Sequence, residues 1–111
     1  EPESKIAAQL VSQILGGDPH AEDRMVKRYD RGLRFMLKRR SQSKTIAEDI
    51  AQETWRIVIE KVRNNELRDP SKLAAFIVQI GKNQLLMLHL YLLLMTISLL
   101  GQLRMMHLIF L

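Results

Sequence analysis

The sequence predicts an all-α protein, a compact bundle of about four helices with an additional, strongly apolar C-terminal helix. Three observations carry that prediction. Apolar residues recur at intervals of three and four through residues 6–80, the spacing of a single helix face. Helix-opening and helix-ending residues separate the periodic stretches. No segment alternates polar and apolar side chains as a half-buried strand would, and there is no internal repeat.

The first helix carries Ile6, Leu10, Val11, Ile14 and Leu15 as its apolar stripe, and Gly16-Gly17 ends it. Asp18-Pro19 then reads as a helix opening, with an N-cap acceptor followed by proline at the first helical position. The second helix buries Met25, Val26, Tyr29, Leu33, Met36 and Leu37 and stops in the polar run Ser41-Gln42-Ser43. Thr45-Ile46-Ala47-Glu48 matches a capping box, in which threonine and glutamate satisfy each other's backbone amides. In the third helix Ile46, Ile50, Ile57, Val58 and Val62 point inward, while Asp49, Gln52, Glu53, Arg56 and Glu60 share the opposite face. Residues 64–68 read as a loop. Asp69-Pro70 opens the fourth helix, with Asp69 as its N-cap and Leu73, Phe76, Ile77 and Ile80 on its buried side.

Composition narrows the function. The 111 residues suit one folded domain, with 47% apolar and 26% charged residues. There is no cysteine, so disulfides, thiolate metal sites and cysteine nucleophiles drop out together. His20, His89 and His107 are scattered and belong to no metal-ligand pattern, so neither a metal nor another cofactor is expected. No nucleophile stands with a base and no glycine loop could cradle phosphate, so the chain does not read as an enzyme. A net charge of +5 with 17 Lys+Arg points to a polyanionic partner. The acidic start, Glu1-Pro2-Glu3-Ser4, is no secretory signal, which is in keeping with a cytoplasmic protein.

The most informative residues run from Ala47 to Trp55: Ala-Glu-Asp-Ile-Ala-Gln-Glu-Thr-Trp. This resembles the signature of the extracytoplasmic-function group of bacterial RNA polymerase sigma factors. Gly17-Asp18-Pro19, Tyr29 and Leu33-Arg34-Phe35 precede it in that group's order. Leu67-Arg68-Asp69-Pro70-Ser71-Lys72-Leu73-Ala74-Ala75-Phe76 and Ile80-Gly81-Lys82-Asn83 follow. The resemblance covers roughly residues 6–84 and implies the helical domain called sigma region 2, with residues 1–84 as that domain. It implies that Asp49, Gln52, Glu53 and Arg56 dock on a coiled coil of the polymerase clamp. Carboxylates flanking an amide suit that task, because they accept charge-assisted bonds from arginines; an ordinary solvated helix face is the plainer alternative.

By the same resemblance, the −10 promoter element is melted and its non-template strand held. Asn64, Asn65 and Arg68 match the base-capturing loop, and Lys82 and Asn83 the DNA-facing helix. Simple loop chemistry is an equal account of Asn64-Asn65. Arg34, Lys38 and Arg39, with Arg31 and Arg40, form a basic group suited to phosphates. Lys38, Arg39 and Arg40 also complement the helix dipole. Trp55 reads as a partly buried anchor, with a place beside the melted strand as the other option. An anti-sigma factor is a further partner the family brings.

The chain departs from the family after Asn83. A polar, basic continuation and a −35-reading domain are expected there. Residues 85–111 instead form a leucine- and methionine-rich tail whose only formal charge is Arg104. A truncated or frame-shifted gene, a membrane anchor, and a helix buried against the domain or a second copy all remain open. A helix apolar on all sides does not stand alone in water, so a homo-oligomer through residues 85–111 is expected. The alternatives to the promoter-opening function are a membrane-associated helical adaptor held by this tail, and a truncated sigma fragment that binds polymerase without promoter recognition.

Overall fold

In the structure, a computed structural model describing residues 2–111, helix α1 (Glu3–Leu15) stops because Gly17 adopts a left-handed φ of 86°. That turn lets the Gly17 and Asp18 amides bond back to Ile14 and Gln13 at 3.1 and 3.0 Å, so the last carbonyls of α1 find donors. Helix α2 spans Ala21–Ser41. It begins two residues later than Asp18-Pro19 suggested. Asp18 Oδ1 instead accepts the His20 amide at 2.9 Å, and the Asp18 carbonyl accepts the Ala21 amide, so Asp18 closes a turn in front of the helix.

Gln42, with φ 56°, ends α2 and delivers Ser43 in extended backbone. Ser43 Oγ accepts the Ile46 amide at 3.2 Å and is the N-cap of α3 (Lys44–Arg63). The expected capping box from Thr45 to Glu48 is therefore corrected: α3 has already begun when Thr45 is reached. Asp69 performs its expected task, its carboxylate accepting the Ser71 amide at 3.1 Å. It opens a 3-10 turn, Pro70–Lys72, which runs into the 37-residue helix α4 (Leu73–Ile109).

The four helices enclose one core. Met25, Leu33 and Leu37 of α2, Val58 and Val62 of α3, and Leu73 and Ile77 of α4 are fully buried in it. Ala7, Ala21, Ala47 and Ala51, also buried, let backbones approach closely. At Gly81 side-chain ends of α2 take the space of a β-carbon, which would lie 2.8 Å from Leu33 Cδ1 and 3.3 Å from Met36 Cε. The inward stripes match the periodicity apart from Leu15, which is exposed at the frayed end of α1.

Polar contacts tie the helices at their edges. Trp55 is buried, and its Nε1 donates to Asp30 Oδ1 at 2.7 Å while Asp30 Oδ2 receives Arg34 Nε at 2.8 Å. Glu3 is clasped by Arg28 and Tyr29, which hold its carboxyl down at about 2. Arg63 reaches Glu22 at the start of α2. Buried Thr54 donates back to the Ile50 carbonyl at 2.7 Å. Among the described residues no buried side-chain nitrogen or oxygen lacks a partner.

Leu85 is the last buried residue of α4 and Leu88 the last that packs on the core. Every residue beyond Leu88 is exposed, so α4 projects from the bundle and the molecule measures 69 Å along its longest axis.

The α2–α3 link through Trp55 has a measurable energy. Trp55→Phe and Asp30→Ala should each lower unfolding stability by about 1–2 kcal/mol in urea titrations. The double variant should cost less than the two losses together, because both remove one bond. Strict additivity would show that the bond contributes nothing.

Candidate functional site

Because Ile50, Ala51, Thr54, Trp55 and Val58 face the core, α3 turns Asp49, Gln52 and Arg56 to solvent, with Glu53 partly exposed beside them. Asp49 and Gln52 make no hydrogen bond or ion pair among the described residues. Glu53 is committed. Arg56 Nη2 lies 2.6 Å from Glu53 Oε1, and Arg56 Nε lies 3.1 Å from the other oxygen. That guanidinium holds the Glu53 carboxyl below its ordinary range. Arg56 also reaches Glu60 at 3.4 Å. Exposed pairs of this kind contribute only about 0–1 kcal/mol, so an incoming arginine can compete for Glu53.

Arg56, Ile59, Glu60, Arg63 and Asn64 line one open groove, which joins this face to the α3–α4 loop. The loop has a defined shape. Asn65 takes a left-handed φ of 57°, and the Asn65 and Glu66 amides bond to Val62 and Lys61 at 3.0 and 2.9 Å. Lys61 pairs with Glu66 at 3.6 Å, and Leu67 tucks into the core. The side chains of Asn64, Asn65 and Arg68 all remain exposed. Asn65 thus has a backbone task that its place in a loop did not reveal.

The basic residues gather elsewhere. Arg34 is engaged by Asp30, whereas Lys38, Arg39 and Arg40 are exposed at the end of α2. Phe35, Met36, Arg39 and Arg40 line one shallow depression; Arg40, Lys82, Leu85, Leu86 and His89 line the next. Arg40 stands in both, so the end of α2 and the middle of α4 form one basic surface. Asn83 follows Lys82 on α4, its Oδ1 accepting from Gln79 Nε2 at 2.9 Å. Phe35, 64% exposed, is an aromatic face beside guanidinium groups that sequence reasoning did not assign to the site. Its signal was present: Leu33, Met36 and Leu37 set the inward direction of α2, and Phe35 falls outside it. Among the described residues no cluster of His, Asp or Glu could hold a metal ion.

A family model described as Sigma-70 region 2 matches residues 25–90, more than half of the chain. The match runs from the first core methionine of α2 to the point where α4 leaves the bundle, and leaves α1 outside. No curated protein and no solved structure matches.

The left-handed turn separates the two tasks of Asn65. Asn65→Gly should leave thermal stability nearly unchanged, whereas Asn65→Val should cost about 1–2 kcal/mol. Equal melting curves for the two variants would deny the turn any energetic weight.

Proposed function

The chain belongs to the Sigma-70 region 2 family, and on that premise we propose that it is a promoter-opening domain of the extracytoplasmic-function kind. The family is one of transcription initiation domains that work on RNA polymerase core and promoter DNA, not of catalysts. The finer assignment is that α3 docks on the coiled coil of the polymerase clamp and that the non-template strand of the −10 element lies along the loop and the basic surface. The work is done in the cytoplasm. The observation that carries the docking assignment is the exposed face of α3, where Asp49 and Gln52 have no partner among the described residues and Glu53 is held by a weak surface pair. Such a face accepts charge-assisted bonds from arginines of a partner helix at little cost in lost internal contacts.

Strand capture rests on different residues. Extruding a base costs a few kcal/mol, which stacking and phosphate contacts must offset. Asn64, Asn65 and Arg68 offer exposed amide and cationic donors on a loop of fixed shape. Lys38, Arg39, Lys82 and Asn83 offer phosphate contacts, with Phe35 and Arg40 between them. Arg34 contributes less, since Asp30 already holds its guanidinium. Beyond Lys82, α4 has no cationic residue before Arg104. That supports a second reading, a domain that binds polymerase and captures no promoter.

Pull-down with core RNA polymerase tests the docking face. Asp49→Ala/Gln52→Ala/Glu53→Ala should weaken binding at least tenfold, about 1.4 kcal/mol, while Arg56→Ala weakens it less. Undiminished binding by the triple variant would remove α3 from the interface.

Fluorescence anisotropy with single-stranded −10 oligonucleotides separates the two readings. Lys38→Ala, Arg39→Ala and Lys82→Ala should each lower the salt slope by about 0.7 without altering sequence preference. Asn64→Ala and Arg68→Ala should narrow the preference for the −10 strand over a scrambled one. If the unaltered protein shows neither affinity nor preference, the polymerase-only reading stands.

A further inference from the structure

Polymerase docking and promoter capture leave residues 86–109 of α4 without a role. These residues form the largest exposed apolar surface of the molecule: Leu94, Ile97, Leu103 and Leu108 are each more than half exposed, and polar side chains are few. Helices of this length and composition are also found as buried core helices or as N-terminal signals. This one lies in the C-terminal half, and only 6% of its apolar window is buried in the protein.

Four observations say what covers it. The first is length. At the rise of an α-helix the exposed part extends roughly 36 Å, against a bilayer hydrocarbon core of about 30 Å. The second is the distribution of apolar side chains. Leu92, Leu93, Leu94 and Met95 follow one another around the helix and are 47%, 55%, 66% and 52% exposed. A seam with a second copy needs one apolar stripe with polar flanks; lipid needs apolar side chains all round, as here.

The third is polar satisfaction. Thr96 donates its hydroxyl to the Leu92 carbonyl at 2.8 Å, closing within the helix a bond that lipid cannot supply, and Ser98 and Gln102 are the other polar side chains between Thr96 and Arg104. The fourth is charge. No charged residue occurs between Lys82 and Arg104, and Arg104 lies roughly 27 Å beyond Leu86, at the level of the far headgroups, where a long cationic side chain can reach water. At the near end the bundle presents Arg39, Arg40 and Lys82 around the root of the exposed segment, with Phe35 beside them.

We propose that residues 86–109 span a lipid bilayer, with the bundle seated on anionic headgroups through Arg39, Arg40 and Lys82 whenever promoter DNA does not occupy that surface. The concentration of positive charge at the near end sets the orientation, with the bundle on the cytoplasmic side. The anchor stands whether or not the bundle binds polymerase.

The test is cell-free synthesis of the full chain with vesicles of phosphatidylcholine, alone or mixed with phosphatidylglycerol, followed by flotation. The chain should float with both and resist carbonate extraction. Phosphatidylglycerol should raise the floating fraction several-fold at low salt. Arg39→Gln/Arg40→Gln/Lys82→Gln should lose that increment and still float. Leu93→Glu/Ile97→Glu should stay in the soluble fraction with the helical circular dichroism of a folded bundle. Protein that remains at the bottom of the gradient, as a discrete oligomer of this chain or as aggregate, would overturn the anchor. So would equal flotation of the Leu93→Glu/Ile97→Glu variant. Polymerase pull-down is a separate readout, so failure of one assignment does not masquerade as failure of the other.

Discussion

Where α4 crosses α2, Gly81 leaves room for the Leu33 side chain to lie 2.8 Å from the position a β-carbon would take. Much follows from that close approach. It draws α4 against the middle of α2, so that Arg40 at the end of one helix meets Lys82 on the other. It sets the depth at which Leu73, Ile77, Ile80 and Leu85 enter the core. It also fixes the direction in which the rest of α4 leaves the bundle. A larger side chain at this crossing would have to displace the ends of Leu33 and Met36, and interiors packed to native density absorb such a shift at some cost.

The rotation of α3 is set by a second contact of different character. Trp55 fills the space between α2 and α3 and anchors its indole nitrogen on Asp30. A large ring with one directed bond permits little rolling of the helix that carries it. With Trp55 inward, Asp49, Gln52 and Arg56 are outward as a matter of geometry. One carboxylate serves both sides of this arrangement, because Asp30 also holds Arg34 and so withdraws it from the basic surface.

The helices and their inward faces were legible because each stripe is a simple consequence of helical period, and the polar face of α3 followed from the same count. Helix starts were less legible. Ser43 and Thr45 are both good caps by type, and only the left-handed Gln42 decides that Ser43 arrives first. Leu67 and Asn65 show the same limit in the loop: one is buried and the other turns the chain, and neither task leaves a periodic trace. Pairings across helices, such as Asp30 with Trp55 or Arg63 with Glu22, depend on the crossing of elements 25 and 41 residues apart. The exposed aromatic face of Phe35 could have been read from the wheel of α2. Its neighbourhood with Arg40 and Lys82 could not.

The change in composition at Leu85 coincides with no break in the backbone, for α4 is one helix from Leu73 to Ile109. Bundle and projecting arm therefore share an unbroken ladder of hydrogen bonds and have no joint between them. Such a body behaves as a stiff lever. Holding the far end in a fixed direction also fixes the heading of α3 and of the basic surface, leaving mainly rotation about the long axis of α4. An arm on a flexible linker would let the bundle sample all headings; this one allows a partner to approach only from the side.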